Sequence, residues 1–379
     1  MPEEIRILES FDSVPEAQWD ALAQGDPTLA HAFLASLERA RCATPDTGWA
    51  PRLLTLWNGA RLQGAVPLYL KSHSYGEYVF DWSWAEAHER RGLAYYPKLL
   101  AAVPFTPVTG RRLLAAAPAA RAKLASALLD VARSCGVSSL HVLFPTEEDA
   151  AALRATGLLE RHGVQFRWTN TGFATFDAFL ARLSHDKRKK IAQERRKVAA
   201  AGIGFRRLTG REATRADWDF FTACYRRTYR AHRSTPYLNR EFFGMLAERM
   251  PDRVLLVIAQ RAERPIAAAL ALFTPSVLYG RYWGTMEFVP GLHFETCYYQ
   301  AMEFCIERGI GRFEGGAQGE HKHARGFLPE PTRSFHWLAN PSFHRAIDDF
   351  LAREGCAIGD YVDELNERSP FRRSSEADS

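Results

Sequence analysis

The chain has 379 residues, of which 46% are hydrophobic and 25% are charged, with a formal net charge of +5 at pH 7. This composition excludes a disordered chain and predicts a packed globular protein. The length exceeds what one hydrophobic core usually fills, so we expect two domains of roughly 150–200 residues each.

The N-terminal segment and the cysteines bear on where the protein works. MPEEIRILESFD opens acidic and is typical of a first strand rather than of an export signal. No apolar run approaches the roughly 18–20 residues of a membrane helix, so we expect no integral membrane insertion. The six cysteines are scattered and form no CxxC pair, which argues against a disulfide frame or a zinc ribbon. We therefore expect a cytoplasmic protein without a bound metal.

The first half of the chain predicts a β-hairpin that leads to an aromatic strand. PRLLTLW (51–57) and GAVPLYL (64–70) are the paired strands, with a tight turn at Asn58-Gly59 between them. The aromatic segment YGEYVFDWSW (75–84) predicts the next strand. A helix with an apolar stripe at 3.6-residue spacing then ends at Gly136, before the strand SSLHVLF.

The second half repeats this arrangement. RVLLVIA (253–259) and PIAAALALF (265–273) predict a second hairpin, and VLYGRYWGT (277–285) predicts a second aromatic strand. Another striped helix ends at Gly309, before a strand over GRFEGG. The sequence thus predicts two copies of one structural unit.

The repeated order is strand–helix–helix–hairpin–strand–helix–strand, which is the order of the GNAT acyltransferase superfamily. We therefore expect an α/β (α+β) fold of tandem GNAT-like domains, each a mixed sheet flanked by helices. The expected domains are 1–182 and 183–379, the second with a C-terminal docking segment. The first half carries an insert with YYPK (95–98) and PFTPVTG (104–110), at the point where GNAT folds bind ligands.

GNAT enzymes normally hold the pyrophosphate of the acyl-CoA on a glycine-rich turn before a helix, with the pattern Q/R-x-x-G-x-G/A. The second half has Glu287–Phe294 at this place, with one glycine and a proline where an N–H donor is needed. In the first half, Glu89–Ala94 has the spacing but begins with an acid. A simple acetyl-CoA enzyme is therefore disfavoured, and another acyl donor becomes more plausible.

Three motifs carry a resemblance to a known family. FEGGAQGEHK (313–322), followed by Arg325-Gly326-Phe327, resembles the C-terminal signature of FemAB-like proteins. SHDKRKKI (184–191) resembles their interdomain helix, and DWSW (81–84) resembles the branch associated with peptidoglycan biosynthesis or recognition. The resemblance implies a Fem-type fold and transfer of an amino acid from aminoacyl-tRNA to the amine of a peptidoglycan precursor.

The glycine-flanked loop after the last strand of the second half is a usual place for catalytic side chains. Glu320 or His321 could accept the proton of the attacking amine, and Asp81 could orient that amine. The candidate substrate contacts are Lys322, Lys98, Trp82, Trp84, Tyr282, Arg325, Lys187 and Arg188. Salt bridges or core packing are the alternative roles for these residues.

The segment KRKKIAQERRK (187–197) carries seven basic residues and one acid. Such a stretch suits an anionic partner such as a phosphate, an anionic lipid surface or RNA, and tRNA is the one that the family resemblance implies. A solvated helix face is the alternative interpretation.

Three functions remain open from the sequence. The first is aminoacyl transfer from aminoacyl-tRNA to an amine-bearing small molecule or peptidoglycan precursor. The second is an acyl-CoA-dependent N-acyltransferase, and the third is a non-catalytic module that recognises a glycan or peptide. None of them requires a tightly bound cofactor, because the acyl donor, aminoacyl-tRNA or acyl-CoA, is a substrate.

Overall fold

The computed structural model describes residues 3–316 and 319–372. Contacts divide the chain into two compact units. Unit 1 comprises residues 1–164 and 331–360, and unit 2 comprises residues 165–330 and 361–379. Ala317 and Gln318 of the glycine-rich motif, and the tail from Arg373, lie outside the described residues.

Twelve helices and fifteen strands are assigned in the described part of the chain. The helices are α1 (Glu16–Ala23), α2 (His31–Arg39), α3 (Trp82–Glu89), α4 (Pro118–Ser134), α5 (Glu147–Arg154), α6 (Phe176–Arg182), α7 (His185–Ala200), α8 (Arg215–Ala231), α9 (Arg240–Arg249), α10 (Leu292–Phe294), α11 (Gln300–Arg308) and α12 (Pro341–Glu367). The strands are β1 (Glu3–Leu8), β2 (Trp49–Pro51), β3 (Leu53–Asn58), β4 (Arg61–Val66), β5 (Leu68–Lys71), β6 (Lys98–Ala101), β7 (Leu114–Ala115), β8 (Ser139–Leu143), β9 (Leu159–Thr169), β10 (Ile203–Thr209), β11 (Val254–Arg261), β12 (Arg264–Phe273), β13 (Val277–Thr285), β14 (Arg312–Glu314) and β15 (Leu328–Leu338). No helix among these described residues has the length and apolarity that crossing a membrane requires.

Unit 1 contains an antiparallel sheet, β1-β3-β4-β7, and a second run of strands in the order β15-β8-β6-β5-β2. In the second run only β6 and β8 are parallel. The apolar stripe of α4 covers this layer, and Leu124 and Leu128 pack in one buried cluster with Leu54 and Val142. As expected, a glycine in the left-handed region (Gly136, φ 63°) follows the helix.

Unit 2 holds the strand order β10-β11-β12-β13-β14-β9, antiparallel except for the pair β13–β14. Both predicted hairpins and the second aromatic strand are confirmed. A π-helical turn (Glu295–Tyr299) joins α10 to α11, and Gly309 (φ 65°) ends the helix as predicted. Met302 and Cys305 of this helix pack against Leu278 and Phe313 in the core.

The predicted first aromatic strand, residues 75–84, is wrong. Residues 82–89 form α3, and Asp81 stands at its N-cap position rather than on a strand. The buried positions Asp81, Trp84 and His88 are three and four residues apart, which is helical spacing, whereas Trp82 is exposed. The aromatic composition of the segment favours a strand, but the helical spacing of its buried residues determines the structure.

The sequence after YYP predicts a helix-like run that starts at Lys98, and this prediction is also wrong. Lys98 begins β6, whose four residues are all buried between β5 and β8. A short apolar run with both strand edges paired cannot be told from a buried helix by periodicity alone.

The compact units do not divide the chain at 182/183, where the repeat places the junction of two homologous halves. The long strands β9 and β15 each begin in one unit and end in the other, so the first division falls inside β9 at 164/165. The position 182/183 remains a prediction about the repeat. It falls between α6 and α7, both of which belong to unit 2.

Replacing Gly284 by Ala tests the close approach of α8 to β13. A Cβ at this position would collide with the carbonyl group of Cys224 on α8. We expect Gly284→Ala to lower the free energy of unfolding by about 1–3 kcal/mol, as overpacking does, measured by urea denaturation. Gly204→Ala in β10 is the matched control, because a Cβ there meets nothing within 4 Å. Equal losses of stability in both variants would contradict the argument.

Candidate active site

The parallel strands β13 and β14 pair over three residues and then part. Their registered pairs end at Tyr279 and Glu314. Beyond this point β13 continues to Thr285 with a bulge at Arg281, while β14 ends and the chain enters Gly315-Gly316. The mouth between the strands is therefore bordered by the aromatic half of β13 and by a glycine turn.

Two glycines with positive φ bound the 3₁₀ turn Glu320–Arg325 that follows. Gly319 has φ 115° and Gly326 has φ 88°, both in the region where only glycine is unstrained. Gly326 also packs so closely on the ring of Phe179 that a Cβ would lie 2.7 Å from it. The glycines thus place Glu320, His321 and Lys322 on one short turn.

His321 lies in an aromatic cluster on this turn. Its Nε2 is 3.0 Å from the hydroxyl oxygen of Tyr298, and its ring lies 5.8 Å from that of Phe294 and 6.1 Å from that of His293. His321 is exposed at one side, and desolvation by its aromatic neighbours, with the nearby charges of Lys322 and Arg325, lowers its pKa. The imidazole is therefore neutral at pH 7 and able to accept a proton.

Lys322 is the buried cation of the turn, with 2% of its surface exposed. Its Nζ donates to the carbonyl oxygen of Gly316 at 2.8 Å. Burial lowers the pKa of Lys322 to about 8. Among the described residues no carboxylate lies within ion-pair distance of it, so an anionic ligand would be its first counter-charge.

Glu320 points away from this environment. It is exposed, and its Oε1 accepts a hydrogen bond from the hydroxyl of Tyr361 at 2.7 Å. The two residues predicted as alternative bases therefore differ: His321 lies in the aromatic cluster, and Glu320 is held at the surface.

Arg325 braces the turn. Its Nε donates to Tyr299 Oη at 3.0 Å, its Nη1 to the carbonyl oxygen of His321 at 2.6 Å, and its Nη2 to Glu194 Oε1 at 2.6 Å. The guanidinium also lies 3.3 Å from the ring centroid of Phe294. These donors are directed at protein groups, so the visible contribution of Arg325 is to hold the turn rather than to reach a substrate.

The other predicted contacts of unit 2 lie on β13 and α7. Tyr282 packs on Tyr225 of α8, with ring centroids 5.1 Å apart, whereas its neighbour Trp283 faces His293 at 5.1 Å, on the opposite side of the strand. Lys187 and Arg188 stand half-buried in the first turn of α7. Burial is the largest cause of the lowered pKa of His323 in the 3₁₀ turn, and the positive charge of Lys187 lowers this pKa further.

Unit 1 brings two further predicted residues together. Lys98 is fully buried and forms an ion pair with Asp81, and its Nζ also donates to Ser74 Oγ at 2.7 Å and to Glu77 Oε2 at 2.8 Å. Burial alone would raise the pKa of Asp81, but the Lys98 ammonium lowers it to about 2. All three Lys98 donors are used, so the predicted role of Lys98 as an anion contact requires the displacement of one of these partners.

Lys71 and Glu77 complete this buried charge cluster. Lys71 pairs directly across the sheet with Lys98, and its Nζ lies 3.8 Å from the ring centroid of Trp49. Its distance to Glu77 Oε1 is 3.9 Å. Burial lowers the pKa of Lys71 to about 7 and raises the pKa of Glu77 to about 7. The pKa values of these two groups therefore meet near neutral pH.

A chain of hydrogen bonds extends from Asp81 through buried histidines. Tyr95 Oη donates to Asp81 at 2.6 Å and lies 3.2 Å from His141 Nε2. His141 Nδ1 is 2.7 Å from His336 Nδ1, and His336 Nε2 is 2.8 Å from Ser334 Oγ. Burial lowers the pKa of His141 to about 3 and that of His336 well below its ordinary range. Both rings are neutral and serve as relays of hydrogen bonds.

The predicted tryptophans differ in exposure. Trp84 is buried and packs at 5.0 Å from His336 and 6.0 Å from His141. Trp82 is 40% exposed and contacts Tyr75, with ring centroids 5.0 Å apart. Trp84 is therefore a core residue of unit 1, whereas Trp82 is open to a ligand.

The predicted site residues thus form two groups: Glu320, His321, Lys322 and Arg325 in unit 2, and Asp81, Lys98, Trp82 and Trp84 in unit 1. Six further residues of these two groups were not predicted from the sequence as site residues: Lys71, Glu77, His141, His336, Tyr298 and Glu194. One signal was available, because His141 is a lone polar residue in the apolar strand SSLHVLF. No group of three or more metal-binding side chains occurs in residues 3–316 and 319–372.

The sequence matches the FemAB-like family, described as peptidoglycan biosynthesis/recognition, over residues 10–373. No curated protein matches the chain in sequence. The solved structure of FemX has a TM-score of 0.57 at 13% identity, covering 92% of this chain and 100% of that chain. L-PGS from Bacillus licheniformis has a TM-score of 0.50 at 10% identity, with coverages of 92% and 98%. The match to FemX confirms the predicted α/β fold of tandem GNAT-like, Fem-type domains.

The Lys71–Glu77 pair predicts an unusual dependence of stability on pH. The folded pKa of Glu77 lies above its ordinary value of 4.5, so its contribution to stability is lost as pH rises from 4.5 to about 7. The folded pKa of Lys71 lies below its ordinary value of 10.5, so its contribution is regained as pH rises above about 7. Relative to a Lys71→Met/Glu77→Gln variant, the wild type should be least stable near pH 7.

The measurement is urea denaturation of both proteins from pH 5 to 9, where the difference should change by roughly 1 kcal/mol per pH unit on each side of the minimum. A variant that lacks the exposed pair Arg41–Asp46 in the same unit is the control. It should keep the pH profile of the wild type. If the difference in unfolding free energy between the wild type and Lys71→Met/Glu77→Gln does not change with pH, the shifted pKa values of the buried pair are wrong.

Proposed function

The chain belongs to the FemAB-like family, and we propose that it is an N-acyltransferase that moves an aminoacyl group from aminoacyl-tRNA to an amine acceptor. The observation that carries the proposal is that the pairing of β13 with β14 ends beside a neutral histidine and a lysine that has no counter-charge among the described residues. We infer that the acyl donor approaches the backbone of β13 beyond this point, where β14 no longer pairs with it. The turn beside it offers a base and a cation at the same place.

Amine attack needs a neutral nucleophile, and an alkylamine is almost wholly protonated at pH 7. We infer that His321 accepts this proton, directly or through water, before the amine nitrogen attacks the ester carbonyl of the donor. The new C–N bond forms as the C–O ester bond breaks. The ammonium group loses two protons in all: one passes through His321 to solvent, and the other moves from the attacking nitrogen to the departing 3′ hydroxyl oxygen. The lowered pKa of His321 and its place in the aromatic cluster favour it over Glu320, whose carboxylate is bound to Tyr361.

Lys322 would hold an anionic group of the donor or acceptor. Its bond to Gly316 uses one of three N–H donors, and the mouth of the strands lies directly beside it. Burial weakens the competition from water, so each remaining donor acts strongly on a phosphate or carboxylate. For the acceptor, a peptidoglycan precursor is the class that the family suggests.

Acyl-CoA is the alternative donor. The turn before α10 has one glycine and Pro290, so it lacks the successive N–H donors that a pyrophosphate needs, which favours tRNA. A non-catalytic module that binds a glycan or peptide is the alternative of another class. Such a module would need an aromatic surface, but it would need neither a neutral base nor an unpaired lysine. Discharge of charged tRNA by the purified protein would exclude this alternative.

Substitution of the base tests the mechanism. His321→Asn should lower turnover by about a hundred- to ten-thousand-fold, the usual contribution of a general base, in a discharge assay with charged tRNA and an amine acceptor. His323→Asn is the matched control on the same turn, since this ring packs on Phe166 instead of the site cluster. Thermal midpoints exclude unfolding as the cause. Full activity of His321→Asn would show that the proton leaves by another route, and a comparable loss in Glu320→Gln alone would move the role to Glu320.

The donor is tested at the start of α7. Lys187→Glu/Arg188→Glu should weaken tRNA binding steeply and reduce the slope of log affinity against log salt by roughly two, because each phosphate contact releases a counterion. The measurement is a binding titration between 50 and 200 mM salt. Arg226→Glu/Arg227→Glu on α8 changes the charge by the same amount and should leave binding unchanged. Equal tRNA affinity of all three proteins would leave acyl-CoA as the donor to test.

A further inference from the structure

Phe288 is the most exposed large apolar side chain in the described residues. It is 90% exposed, in the turn between β13 and α10. The next residue, Val289, packs instead against the buried cluster that contains Val198 and Leu292. The turn is therefore anchored on one side of Phe288, while the phenyl ring itself projects into solvent.

The turn lies against α7. A Cβ on Gly291 would be 3.4 Å from the carbonyl oxygen of Glu194 and 3.5 Å from Val198 Cγ2. Lys190 and Lys197 are the helical neighbours of Glu194, four residues before it and three after it, and both are exposed. The carboxylate of Glu194 is bound to Arg325 and Tyr299, so it does not neutralise these lysines.

Two arginines extend the basic surface to the other side of the turn. Arg261 donates to the carbonyl oxygen of Ala201 at the end of α7 and to Glu287 Oε2 at 2.6 Å, and Arg264 also pairs with Glu287. The acid beside Phe288 is thereby neutralised. With the exposed Glu263 included, the surface around Phe288 carries four basic and two acidic residues.

We propose that this surface, defined by Lys190, Lys197, Arg261, Arg264 and Phe288, docks unit 2 on an anionic lipid bilayer. A projecting phenyl ring enters the interface between headgroups and acyl chains, and the surrounding cations are attracted to anionic headgroups. The proposal does not depend on the acyl donor, because none of these five residues has a role in the proposed transfer; Lys190 and Lys197 share α7 with Lys187 and Arg188.

The chemistry favours a bilayer over RNA. Sequence-tolerant binding of single-stranded RNA uses several aromatic rings as a stacking platform, and arginine planes add to it. Here one phenyl ring stands alone, the arginines are engaged with Glu287, and the free cations are lysines, which act as point charges on a diffuse anionic surface.

Cosedimentation of the full chain with vesicles tests the proposal. The wild type should bind vesicles of phosphatidylcholine and phosphatidylglycerol (3:1) and not vesicles of phosphatidylcholine alone, with binding that falls as salt rises. Phe288→Ser should weaken binding about tenfold, and Phe288→Trp should restore it, because Trp is favoured at the interface. Lys190→Glu/Lys197→Glu should weaken it at least tenfold, at about 1 kcal/mol for each cation near the surface.

Arg226→Glu/Arg227→Glu is the charge-matched control. These arginines are exposed on α8, which packs on the side of β13 opposite to His293. This variant should bind vesicles like the wild type. Absence of wild-type binding, an unchanged affinity of Phe288→Ser, or an equal loss in the control would each overturn the proposal. Binding of RNA but not of vesicles by this surface would do the same.

Discussion

The short pairing between β13 and β14 is the constraint on which the candidate active site depends. Because the two strands part after Tyr279 and Glu314, the chain that leaves β14 must form its own structure at the mouth. It does so with a glycine turn and a 3₁₀ turn held by the buried pair Arg325–Glu194. Removing one partner of such a pair typically costs about 3–5 kcal/mol, since an uncompensated charge remains. The same pair links the 3₁₀ turn to α7, so this turn and the basic helix are stabilised by one ion pair.

Unit 1 contains two buried lysines on neighbouring strands. Lys71 and Lys98 stand directly opposite on β5 and β6, and like charges in this position repel. The compensating carboxylates, Glu77 and Asp81, both come from the irregular segment between β5 and α3. Ion pairs with the two lysines therefore hold this segment in place. The segment has no periodic pattern of apolar residues from which its structure could be predicted.

The sequence predicts those features that depend on local patterns. The hairpin at Asn58-Gly59, the strand β13 and the helix ends at Gly136 and Gly309 all follow from turn chemistry and periodicity over a few residues. The position of the 3₁₀ turn Glu320–Arg325 also follows, because glycines flank it. What the sequence could not reveal are pairings over long separations, such as His141 with His336, 195 residues apart. The aromatic segment 75–84 failed because its composition favours a strand while its buried positions have helical spacing.

The two buried lysines with lowered pKa values differ in a way that bears on function. Burial is the largest cause for both, but Lys71 faces Glu77 and lies over Trp49, whereas Lys322 has a carbonyl partner. A lysine that already faces a carboxylate gains little from a second anion. A buried lysine bonded only to a neutral dipole gains a full ion pair when an anion arrives, and its pKa then rises, which makes binding and protonation mutually reinforcing. Under the proposed function, the desolvation that weakens the charge of Lys322 would therefore favour an anionic substrate at this turn over the solvated lysines of α7.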